Sequence, residues 1–280
     1  MSSEDSSREA SSFTRAPPRS LAPRRVGLVN VRGLWTLYHK EIMRFANIYT
    51  QTVMAPVVAT LLFLAIFTLA LSHRDIGDGL PYDEFLAPGL VAMALIQNAF
   101  ANTSSSILLA KIQGNIVDVL MPPLSSWELV AGFAAAGVTR GLLVGLCVTV
   151  AMTFFVPLPF AEPAVILFSA INASLTLAML GLLAGIWSEK FEHISAFTNF
   201  VIIPLSFLSG TFYSLERLPP VWQSVAAFNP FFYMIDGVRY GFLGRADGDL
   251  LVGAVYLLAL NLALVILAHR LVLRGWHLKA

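Results

Sequence analysis

Six long, almost unbroken apolar runs follow one another along the chain, at roughly 51–72, 85–109, 128–155, 163–187, 195–213 and 250–270. A hydrocarbon core of about 30 Å is crossed by about 20 residues of helix, so each run is long enough to span a membrane. Ahead of them, from 28 to 50, the pattern changes period. Leu34, Leu37, Tyr38, Ile42, Phe45 and Tyr49 recur at three- and four-residue steps, with His39, Lys40, Arg44 and Asn47 on the other side. This predicts an amphipathic helix lying on the membrane surface with a cationic face toward anionic headgroups. The stretch 214–249 is mostly apolar, yet carries Pro219, Pro220, Pro230, Asp236 and Arg239. Prolines and charges make it unsuited to a plain spanning helix, and it reads as a re-entrant or membrane-edge element. The pattern therefore predicts an all-α polytopic membrane protein: six transmembrane helices, an N-terminal amphipathic surface helix, and a re-entrant element between spans 5 and 6.

Composition agrees with that class. Hydrophobic residues make up 57% of the 280 and charged residues 12%, about half the charged share of a soluble domain. Residues 1–27, rich in Ser, Pro and Arg, bury too little apolar surface to order themselves and are expected to form a disordered cytoplasmic tail. The membrane domain then occupies 51–280. A net charge of +1 gives no electrostatic footprint for nucleic acid. Its distribution says more. With six spans, thirteen Lys and Arg fall on the side of the termini and four, Arg74, Arg217, Arg239 and Arg245, on the other. The cationic excess marks the cytoplasmic side, so both termini are expected inside. The single Cys147 excludes an intrachain disulfide.

Enzymatic motifs are missing. No Gly-Lys dipeptide occurs, so there is no phosphate-cradling loop of the Gly-Lys-Ser/Thr kind, and no Gly-x-Ser-x-Gly elbow. The five histidines are scattered over predicted ends and loops, so no metal site is expected. Within the spans, Gly137, Gly141 and Gly145, and then Gly181 and Gly185, form small-residue stripes suited to close helix packing, within one subunit or between two. Arg140 stands inside the first stripe. A charge at that depth points either to function or to a span that starts later, leaving it at the inner interface. Gln97, Asn98 and Asn102 in the second span suit either a polar conduit or hydrogen bonds between helices. The loop from Lys111 to Glu128 starts with an amphipathic turn using Ile112, Ile116, Val119 and Leu120, which Pro122 and Pro123 stop.

Taken together these features resemble the ABC-2 type exporter permeases. The resemblance runs over about 30–275 and is most specific in Asn229-Pro230-Phe231-Phe232-Tyr233-Met234-Ile235-Asp236-Gly237, with Pro219 before it and Arg239-Tyr240-Gly241 after it. That segment looks like the bacterial branch related to nodulation-factor and antibiotic exporters. Lys111, Ile116, Asp118, Leu120, Pro122, Ser125 and Glu128 follow the layout of the family's cytoplasmic loop that couples to the ATPase. The resemblance implies a multi-pass protein of the bacterial cytoplasmic (inner) membrane, in contact with its lipids. It further implies a permease homodimer working with cytosolic ABC ATPase subunits, with ATP and Mg on the partner and no cofactor on this chain. An amphiphilic cargo, lipid-like, glycolipid or drug-like, would leave the cell along a path between the first and fifth spans of two subunits. The alternative is a secondary transporter driven by an ion gradient. Such a machine normally places Asp, Glu or His near mid-membrane, where this sequence offers only Arg140.

Overall fold

The computed structural model describes residues 29–71, 80–215 and 219–277. The expected tail at 1–27 lies outside them, as do Arg74, Arg217 and Lys279. The described residues form eleven α-helices. Asn30 opens α1 (Val31–Ala46) by accepting a hydrogen bond from Gly33 N at 3.0 Å. After Asn47 the chain turns through a π-helical segment, Thr50–Met54, into α2 (Ala55–Leu71). Then come α3 (Tyr82–Ile112), the one-turn α4 (Ile116–Leu120), α5 (Ser126–Met152) and α6 (Pro163–Trp187). A fifth rod, Phe191–Leu208, joins α7 (Phe191–Phe197), a π-helical segment and α8 (Ile203–Leu208). It is followed by α9 (Pro220–Phe228), α10 (Pro230–Leu243) and α11 (Leu250–Arg274).

Among the described residues, six helices are long and apolar enough to cross a membrane. The fifth is displaced from the expected 195–213, because Ser209–Gly210 is a turn in which Gly210 takes φ +74°, a conformation that releases the chain from the helix. The bundle is organised around α3, which is 83% buried over its apolar stretch and packs against α5, α6, α10 and α2. Both glycine stripes face α3 within the same chain. At Gly137 a Cβ would stand 2.7 Å from Ala178 Cβ and 2.9 Å from Thr103 Cγ2, and at Gly181 it would collide with Thr103 Oγ1 and the Phe100 carbonyl. The stripes are therefore spent on packing inside one subunit. By contrast the first and fifth spans are each only 11% buried, so most of their surface is left for lipid or another chain.

At one end of the bundle lie the start of α1, the α3–α5 connection, the α6–α7 turn and the end of α11. Lys111, Lys190, Arg270 and Arg274 all fall at that end. At the other lie α9, α10 and the α5–α6 connection, where Ala161 N and Glu162 N donate to the carbonyls of Phe242 and Gly241 at 3.1 and 2.8 Å.

Candidate functional site

At the basic end, the loop between α3 and α5 is built as a rigid knob. Lys111 Nζ donates to the carbonyls of Ile186 and Ser188 at 2.8 and 2.6 Å, and so caps the C-terminus of α6. Gly114, at φ +72°, reverses the chain into α4. Ile116 and Val119 are buried, and Leu120 is half-buried among the same residues of α3, α5 and α6. Pro122 and Pro123 end the turn, and Ser125 restarts the chain as the cap of α5. Ser125 Oγ accepts from Glu128 N at 3.3 Å, while Glu128 Oε2 accepts from Ser125 N at 2.6 Å, a reciprocal capping box. The other Glu128 oxygen accepts from Asn30 N, which ties the start of α1 to this loop. Between α1 and the loop runs a groove of about 860 Å³, edged by Arg32, Thr36, Lys40, Asp118 and Pro122.

An isolated amphipathic turn must bury its apolar side, and here the chain's own helices α3, α5 and α6 cover it. The side chains left outside are Val117 (52% exposed), Asp118 and Met121 (75% exposed).

At the opposite end, Pro219 and Pro220 open α9, and Asn229 and Pro230 break the chain and open α10. Asn229 Oδ1 accepts from Phe231 N at 3.1 Å, and its Nδ2 donates to Leu205 O and Ser209 Oγ at 2.9 and 2.8 Å. At nine and fourteen residues, α9 and α10 are too short to cross a bilayer, about 14 and 21 Å of rise. Tyr233 packs on Phe232 and Tyr256. Arg239 is 2% exposed; its Nη2 donates to Gly210 O at 2.6 Å, and the guanidinium lies 4.0 Å from the Phe85 ring centroid.

The acid placed against Arg239 is Asp247, with Nη1 to Oδ2 at 4.0 Å. Asp236 accepts from Asp247 N and Gly248 N at 2.8 and 3.0 Å. Two converging backbone amides occupy both oxygens of that buried carboxylate, and the turn they fix carries Asp247 to the guanidinium. The Asn-Pro step held a readable signal for the cap at Asn229. Nothing local marked Asp247.

In the middle of the bundle, polar residues of α3 meet α1 and α5. Asn98 Nδ2 donates to Ala94 O at 2.9 Å, and its Oδ1 accepts from Arg140 Nη2 at 3.2 Å. One turn on, Asn102 accepts from Arg44 Nη2 through Oδ1 (2.9 Å) and its carbonyl (2.8 Å). Arg44 also pairs with Glu41 at 3.1 Å, and Glu41, 1% exposed, accepts from Ser106 Oγ at 2.8 Å. Arg44 therefore faces inward, not toward headgroups, because a paired Glu and a carbonyl on α3 satisfy it there. Tyr38 and Thr139 share a hydrogen bond of 2.9 Å that fixes α1 along α5. Gln97 is half-buried beside a cavity of about 140 Å³ edged by Ala101, Ser104, Ser105 and Thr198. Arg140 stands fourteen residues into α5, about 21 Å of helical rise from Ser126, so it belongs to the middle of the helix and not to its end.

A six-span bundle, a knobbed basic-end loop clamped to α1, and two short helices at the far end form one arrangement. Residues 32–243, from α1 to the end of α10, match the family described as ABC-2 type transporter. The chain belongs to the ABC-2 type transporter family. It is 38% identical over 254 residues to the inner membrane transport permease YadH of Escherichia coli (strain K12), covering 90% of this chain and 98% of that protein. Nodulation protein J of Rhizobium leguminosarum bv. viciae is 28% identical over 175 residues, 60% of this chain and 65% of that protein. Nodulation protein J of Rhizobium meliloti (strain 1021) is 27% identical over 173 residues. As an ABC-2 protein the chain is a transport permease, with ATP hydrolysis on a separate ABC ATPase subunit. Membership sets aside the ion-gradient alternative.

Proposed function

We propose that this permease exports an amphiphilic molecule, lipid-like, glycolipid or drug-like, across a bacterial cytoplasmic membrane as a homodimer driven by a cytosolic ABC ATPase that binds ATP and Mg. The observation that carries the reading is the clamp at the basic end. Val117, Asp118 and Met121 are turned outward on a loop whose inner side is packed on the bundle and whose Glu128 grips both α5 and the start of α1. A push on that knob is passed to α5 through the packing of Ile116 and Val119, and to α1 through Glu128. From α1 it reaches α3, because Glu41 and Arg44 are bonded to Ser106 and Asn102. The first and fifth spans stand outside this tied body and have little packing of their own, which suits them to face a second copy across a path for cargo. An apolar path with few charges fits a molecule that already partitions into lipid. The gathering of Lys111, Lys190, Arg270 and Arg274 at the loop end supports cytoplasmic termini, and the YadH likeness supports the inner membrane.

The test joins copurification of the full chain with its cognate ABC ATPase to ATP-dependent uptake of a fluorescent lysolipid by inside-out vesicles. ATP-driven accumulation inside those vesicles is expected. Accumulation in right-side-out vesicles instead would overturn the direction. In a Cys147→Ser background, a cysteine replacing Lys190 should resist an impermeant maleimide applied to intact cells, and labelling there would overturn the orientation.

A further inference from the structure

The mid-bundle cation Arg140 is not satisfied by this protein. Among the described residues its one hydrogen bond is Nη2 to Asn98, its Nε is buried with no partner, and no carboxylate pairs with it. Asn102 Nδ2, one helical turn from Asn98 on the same face of α3, is likewise buried without a partner. Arg44, which lies close enough to repel Arg140, is already neutralised by Glu41. Glu192, the acid of the fifth span, stands in the first turn of α7. The first span, α6 and α11 contain no Asp or Glu. Those of α3 and α5, Asp83, Glu84 and Glu128, sit in first turns far from Arg140, and both Asp236 oxygens accept backbone amides. An uncompensated guanidinium away from water is costly, and an anion brought to it removes that cost while filling two idle donors.

We propose that Arg140 and Asn102 form a binding site for the anionic headgroup, phosphate or carboxylate, of an amphiphile held within the membrane. The inference rests on the export reading only where the amphiphile is cargo. As a site it takes a single headgroup anion, oriented by Arg140 Nε and Asn102 Nδ2, with the acyl portion running along the exposed surface of the first or fifth span. Charge chooses among amphiphiles here, since the remaining lining is neutral.

The experiment uses purified full-length permease in a neutral detergent, without ATPase or ATP, so its failure leaves the export reading standing. Three probes are titrated: dioctanoyl phosphatidic acid, uncharged dioctanoylglycerol and inorganic phosphate. Phosphatidate should bind about tenfold or more tighter than dioctanoylglycerol, the size of one charge-assisted contact. Arg140→Gln should abolish that preference, Arg140→Lys should retain most of it, and Arg270→Gln, a surface charge at the end of α11, should leave it intact. Asn102→Leu should weaken it, and gives a second variant if Arg140→Gln folds poorly. Equal affinity for phosphatidate and dioctanoylglycerol in the wild type, or an unchanged preference in Arg140→Gln, would overturn the site. Inorganic phosphate competing at the same concentration as phosphatidate would assign it to a soluble anion and overturn the amphiphile. Failure of phosphate to compete supports a headgroup.

Discussion

Replacing Asp247 with Asn should strand the Arg239 guanidinium, and the structure sets the size of the effect. Asn keeps an oxygen that can accept from Leu215 N, 2.9 Å from the present carboxylate, so the change removes charge with little else. The Arg239 side chain is 3% exposed and that of Asp247 16%, so the pair is screened far less than a surface ion pair. Removing one partner of a buried pair costs about 3–5 kcal/mol. The 4.0 Å separation and the partial exposure of Asp247 place this case near the lower bound, about 3 kcal/mol. Arg239→Met takes away the cation as well. It loses the bond to Gly210 O and the contact with Phe85, but also the burden of a buried charge, leaving a net cost of about 1–2 kcal/mol. On that background Asp247→Asn has nothing left to strand. The double variant should therefore be more stable than the sum of the single changes predicts, by about 3 kcal/mol. Unfolding of the permease in dodecylmaltoside by added dodecyl sulfate, followed by tryptophan fluorescence, measures all four proteins. Additive losses to within about 0.5 kcal/mol would refute the pairing.

The basic-end loop separates two kinds of damage. Met121→Asp places a charge on an outward side chain, and should leave membrane levels normal while weakening copurification with the ATPase by about 1–3 kcal/mol, roughly 5- to 150-fold. Leu120→Asp, half-buried against α5 and α6, should instead lower the folded yield of the permease itself. Equal yields and equal association for the two would contradict the placement of these neighbours. Gly181→Val drives side-chain atoms into Thr103 and the Phe100 carbonyl, and should cost about 1–3 kcal/mol or more of unfolding free energy in the same detergent assay.

Periodicity and hydropathy located all six spans to within a few residues, since a helix in lipid must be apolar for about 20 residues whatever it packs against. The break before α10 and the cap of α5 were legible for the same local reason. Asn229-Pro230 and Ser125-x-x-Glu128 satisfy helix ends with side chains three residues away or fewer. Family likeness also sat in contiguous residues around Pro230 and Arg239. What failed were assignments of direction. Arg44 belonged by periodicity to the polar side of α1, yet α3 offers it Asn102 and Ser105 across about sixty residues of chain. Asp236 stands only three residues before Arg239, yet the amides of 247 and 248 take both its oxygens. Ile116 and Val119 mark one apolar side of a short turn, and only the fold shows that α3, α5 and α6 cover it. The glycine stripes showed that something would approach closely, and packing alone decided that it was α3 of the same chain. Sequence by itself determined where the chain is helical, which helices enter lipid and which family it joins, because those depend on local composition and order. Tertiary structure decided which polar groups meet and which, like Arg140 Nε and Asn102 Nδ2, meet nothing, because hydrogen bonds and buried charges are settled by atoms far apart in sequence.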